Sequence, residues 1–195
     1  EFLNDMPWED KNFYVNYLSQ TYYFVCHSTR LLSRSISHFN VDRDHLYKRF
    51  VSHLKEENYH ERIALNDLKN LDVDVYDCHE FELTKAFWEC QYYKIDASKG
   101  ISLLGYILFL EAIAVFCFDD VSARLQKSYG KNAMNFIHVH TNEDPHHLEE
   151  AINQIEMLSD EEKQLVWSNF YQTSKMYIGI LNEAKHHTLA TFSAA

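Results

Sequence analysis

Apolar residues recur along this chain at intervals of three and four, the signature of amphipathic helices. From Trp8 to about Phe39, the residues Tyr14, Leu18, Tyr22, Val25, Thr29 and Leu32 form one such series, with a bend or break expected near Ser33–Ser37. A second series, Leu46, Phe50, Leu54, Ile63, Leu65 and Leu68, predicts a helix that Asp42 caps and that runs to about Leu71. Glu80 to about Asp96 reads as a third helix, with Ser98 a candidate cap for the next. The run from Ile101 to about Tyr129 is apolar on every face up to Phe118, as in a helix central to its domain, and Gly130 is a plausible C-cap. Ser159 opens a last helix with the capping box S-D-E-E, running to about Lys185.

The chain has 195 residues, so a single domain is expected over 1–195. Only four glycines and two prolines are present, too few for the many tight turns of a sheet protein, which points to an all-α bundle. The net charge of −11 argues against a nucleic-acid surface and against an anionic membrane. Ile101–Phe118 is the one membrane-like run, but it is short for a span and carries Glu111 at its middle, so a buried core helix is expected. Cys26, Cys78, Cys90 and Cys117 form no C-x-x-C pair. They read as reduced and mainly buried, hence as those of an intracellular, cytoplasmic protein.

Three stretches carry candidate chemistry. Glu57 and His60 form an E-x-x-H pair whose offset places both on one face of a helix. Glu56 competes for the carboxylate role, and Asp67, seven residues past His60, shares that face. Glu111 is the one ionisable group from Ser102 through Phe118. Burying a carboxylate costs several kcal/mol, so a buried Arg, a proton or a metal must stabilise it, and the metal is the economical choice. In the stretch from Phe136 to Ala151, His140, Asp144 and His147 are spaced so that a helix would bring them within about 60° of one another. Pro145 complicates that spacing, because Asp144 could instead be the N-cap of a helix starting there. His186 and His187 read as tail residues.

Glu57, His60, Glu111, His140, Asp144 and His147 would together supply three carboxylates and three imidazoles, enough for two metal ions. Mixed nitrogen and oxygen ligation without thiolate suits iron or manganese more than zinc. The order E-x-x-H, lone Glu in an apolar helix, then H-x-x-x-D-x-x-H resembles the heme-oxygenase-like di-iron oxidases and oxygenases over roughly residues 45–185. Some members of that family place a Glu seven residues before the first His, where this chain has His53. The resemblance implies a heme-oxygenase-like (TenA/PqqC-like) bundle of about seven helices, with those six residues as ligands of two Fe(II) ions. It further implies O2 as co-substrate and a small-molecule substrate such as an amino acid, an amine or a fatty acid. It allows for an external electron donor and a homodimer. Arg62 and Lys94 are candidates to meet a substrate carboxylate, and Tyr59 a candidate for internal oxidation, though packing is the simpler reading of Tyr59. Two rivals share the scaffold: a metal-free enzyme with Cys26 or Cys117 as nucleophile, and a heme oxygenase with His27 as proximal ligand.

Overall fold

The computed structural model describes residues 2–193, apart from the side chains of 142–146 and 188–193. Its described residues form α-helices joined by short 3-10 turns, with no strand. The helices are α1 (Lys11–Val25), α2 (Ser28–Ile36), α3 (Asp44–Glu56), α4 (His60–Asn70), α5 (Glu82–Ala97), α6 (Leu103–Tyr129), α7 (Asn135–Glu156) and α8 (Asp160–Ser193). No helix among the described residues is long and apolar enough to cross a membrane.

The α6 helix is the centre of the bundle and lies along both α7 and α8. Its opening turns, from Leu103 to Phe109, are buried without interruption, as their all-round apolarity predicts. At Gly105 α6 and α8 approach closely: a Cβ there would collide with the Val166 carbonyl oxygen. Only glycine admits that approach. The helix ends at Gly130, whose φ of 76° suits a glycine C-cap. The short stretch to Asn135 then returns the chain as α7. On the other side α1 packs on α4 and α2 on α3, while α5 touches α1, α2 and α8.

Several boundaries differ from those that periodicity suggests. The first long helix breaks at Cys26–His27, not near Ser33–Ser37. Asp42 lies in a 3-10 turn and caps nothing, since Arg43 stands at the N-cap of α3. The helix expected as far as Leu71 is two helices, divided at Glu57–Tyr59, where Tyr59 takes a left-handed φ of 76°. Apolar periodicity passes through this break because it reports which face is buried, not whether the backbone is continuous. At α8 the capping box forms as read: Glu162 N–H donates to Ser159 Oγ and Ser159 N–H donates to a Glu162 carboxylate oxygen. That helix continues past Lys185 to Ser193 and carries His186 and His187 within it. None of the four cysteines is fully buried, and Cys117 is exposed.

Candidate metal centre

Two groups of three side chains meet between α3, α4, α6 and α7. One is Glu57, His60 and His140; the other is His53, Glu111 and His147. Within each group, one potential ligand atom per residue lies within 4.8 Å of the others. Five of the six residues expected from the sequence are thus brought together. The sixth, Asp144, has a side chain outside the described residues. Its backbone belongs to the interior of α7, which begins at Asn135, so Asp144 is not the N-cap of a helix starting at Pro145.

Each group is assembled differently from its sequence spacing. Glu57 is the C-cap of α3 and His60 the first residue of α4, so E-x-x-H does not lie on one continuous helix. The tight turn at Tyr59 still brings His60 Nδ1 to 3.6 Å from Glu57 Oε1. Glu56, the competing carboxylate, points elsewhere: it accepts from Ser52 and Arg49 and lies 3.3 Å from His147 Nε2. Glu111 is buried in the middle of α6, with His147 Nδ1 at 3.7 Å and His53 Nε2 at 3.5 Å. His140 and His147, seven residues apart on α7, enter opposite groups, and the His140 ring lies 5.1 Å from the His60 ring.

His53 was not picked out as a ligand from the sequence. Leu46, Phe50 and His53 are the buried residues of α3, so a histidine occupies a position on the apolar face. A polar residue in register with an apolar stripe is the signal that could have found it. Asp67 belongs to neither group. It is buried in α4, where its carboxylate accepts from the Phe136 N–H at 2.8 Å and the Asn135 side-chain amide at 2.7 Å. It therefore caps the first turn of α7 and anchors the helix that carries His140. Burial raises the Asp67 pKa against those hydrogen bonds.

The geometry fits a metal better than a set of hydrogen bonds. The separations of 3.6 Å between His60 Nδ1 and Glu57 and of 3.7 Å between His147 Nδ1 and Glu111 exceed hydrogen-bond length. They suit pairs of atoms each about 2.0–2.2 Å from a shared ion. His60 Nδ1 and Glu111 Oε2 are buried without a hydrogen-bond partner, which is costly unless something else is bound there. Burial pushes the Glu57 carboxyl up, but the hydrogen bond from His53 and the charges of His53, His60 and His140 outweigh it and bring its pKa to about 2. Burial lowers the His140 pKa, whereas the adjacent Glu111 carboxylate, by more than burial opposes, raises that of His147.

A narrow apolar cavity opens beside these groups, with an empty volume of about 690 Å3 including its mouth. His53, Glu57, Glu111 and His140 form one wall. The rest is mainly leucine, isoleucine, valine and phenylalanine from α1, α2 and α6, with Ser28, Tyr17, Tyr106 and Tyr177. No Arg, Lys or Cys is among its described lining residues. Arg62 instead sits over the exposed ring of Tyr59, outside the cavity. The His27 ring stacks on Trp88 at 3.7 Å and its Nδ1 pairs with the Tyr92 hydroxyl, and His27 is not among the described residues that line the cavity.

No curated protein sequence matches the chain. A domain of unknown function with a heme oxygenase-like fold from Shewanella denitrificans superposes with a TM-score of 0.85 at 19% identity, covering 100% of this chain and 90% of that one. A TenA homolog from Pseudomonas syringae pv. tomato superposes with a TM-score of 0.72 at 11% identity, covering 90% of this chain and 79% of the other. At such identities the likeness establishes the fold, which is heme-oxygenase-like. A family model described as "Iron-containing redox enzyme" matches residues 15–178, and the chain belongs to that family of iron-containing redox enzymes.

Proposed function

We propose that this protein is a non-heme di-iron oxidase or oxygenase that uses O2 to oxidise or cleave a small, largely apolar substrate. The observation that carries the reading is the pair of adjoining Glu/His groups, one wall of an apolar cavity, in a chain of an iron-containing redox family. Glu57, His60 and His140 would hold one ion, Glu111 and His147 the other, with Asp144 of α7 as a further ligand. Iron bound there would supply reducing equivalents to O2 and an oxidising centre for the substrate.

The chain's own contribution is binding, orientation and exclusion of water. The described lining residues include no cation to receive the carboxylate of a free amino acid, and little besides Ser28, the tyrosines and the ligand wall to receive its ammonium. A molecule with an apolar body and one polar head directed at the ligands fits better. Tyr106 lines the cavity and its buried hydroxyl has no hydrogen-bond partner, so it is available to orient that head. A full catalytic cycle would draw on an external electron donor.

The test is anaerobic ferrous loading followed by one exposure to O2, with O2 uptake and product measured across apolar acids, amines and amino acids. The reading expects O2 uptake that depends on bound iron and turnover confined to apolar substrates. Protein that binds no iron, or that turns over free amino acids only, refutes it.

A further inference from the structure

His53 stands among the candidate ligands, yet its surroundings set it apart from the other imidazoles. Resting on the two-metal reading above, we propose that His53 is not a metal ligand but the hydrogen-bond donor that ties Glu57 to Glu111, with Arg49 fixing its tautomer. The Arg49 side chain is only 9% exposed. Its Nε donates to Glu150 at 2.9 Å and its Nη1 to Glu56 at 3.2 Å. Its Nη2 lies 3.3 Å from His53 Nδ1. A guanidinium stays charged and has no lone pair to offer, so Nδ1 must be the acceptor. A neutral imidazole has one donor and one acceptor nitrogen, which puts the proton of His53 on Nε2. That nitrogen lies 3.5 Å from both Glu57 Oε1 and Glu111 Oε1. A protonated nitrogen cannot coordinate a metal, but a donor shared between two oxygens can hold both at a fixed separation, through the longer contacts usual for a bifurcated bond.

The neighbouring imidazoles are arranged the opposite way. His140 Nδ1 lies 2.7 Å from the Phe136 carbonyl oxygen, which only accepts, so its Nε2 keeps a lone pair for the ion. His147 Nε2 lies 3.3 Å from a Glu56 oxygen, which leaves Nδ1 to face Glu111. A carbonyl or carboxylate behind the second ring nitrogen is the usual setting of a ligating histidine. His53 has a cation there instead. Since Glu57 belongs to one group and Glu111 to the other, His53 is a positioning residue that sets the distance between the two halves of the centre.

The experiment is long-range 1H–15N correlation of the histidine rings in metal-free, 15N-histidine-labelled protein at mildly alkaline pH, with His53 assigned by its loss in His53→Gln. Wild type should show His53 protonated on Nε2 and His140 on Nδ1, and Arg49→Met should release His53 from that single tautomer. Loaded His53→Gln, whose amide N–H replaces Nε2–H, should keep both metals with affinity reduced by no more than about tenfold. Its count of coordinated imidazoles, read by X-ray absorption, should equal that of wild type. A His53 protonated on Nδ1 in wild type overturns the inference, as does loss of one metal and one imidazole in His53→Gln. Wild type that takes up no metal would refute the metal reading alone, and the tautomer would still decide the role of His53.

Discussion

The two halves of the candidate centre use similar residues but different surroundings. Glu57, His60 and His140 meet at a helix break, and the charges acting on this half come from the centre's own imidazoles and carboxylates. His53, Glu111 and His147 come from the interiors of α3, α6 and α7, behind which Arg49, Glu56 and Glu150 form a charged outer layer. Burial dominates at His140 of the first half, whereas the adjacent Glu111 carboxylate dominates at His147 of the second. The difference predicts two metal sites of unequal character.

The largest effect should come from Glu111→Ala. It removes the one carboxylate that α6 contributes, so one metal equivalent should be lost and O2-dependent turnover abolished. The metal-free variant should melt at the wild-type temperature or higher, because the ion-pair partners of Glu111 among the described residues are histidines, not Lys or Arg. A marked drop in melting temperature would make Glu111 a structural residue. Next, His60→Ala and His147→Ala should each remove one equivalent from opposite halves, visible as the loss of different components in the Mössbauer spectrum. If both remove the same component, the division into two halves is wrong.

Acidification should separate the halves without mutation. A histidine must be unprotonated to bind a metal. The His147 pKa is raised by the adjacent Glu111 carboxylate, and that of His140 is lowered by burial. As pH falls toward and below the ordinary histidine value near ~6.5, the Glu111/His147 half should therefore release its metal first. Release of both together in a pH-jump titration would remove the distinction. A smaller effect is expected at Asp67→Ala, which leaves the buried Phe136 N–H without its acceptor. Stability should drop by about 1–3 kcal/mol in denaturant unfolding. Metal affinity should fall more in the half containing His140, the ligand nearest the anchored end of α7.

Sequence pattern revealed the all-α class, the central apolar helix and its buried Glu111, because these depend on composition and on which face is buried. The Ser159–Glu162 capping box was legible for the same local reason. The break at Tyr59 was not, since a left-handed tyrosine leaves no mark on hydrophobic spacing, and Glu57 and His60 meet through a turn instead of a helix face. The place of Asp67 depends on α7 starting at Asn135, a long-range contact that spacing along α4 cannot report. His53 lies outside the E-x-x-H and H-x-x-x-D-x-x-H spacings, and only its place in the stripe after Leu46 and Phe50 marks it as buried.

The central claim is most directly tested by iron content and Mössbauer spectroscopy of wild-type protein after anaerobic ferrous loading. The account predicts about two irons per chain, as in helical-bundle di-iron carboxylate proteins, in two inequivalent heme-free environments of equal area. One iron or none, or a heme absorption band, would contradict it.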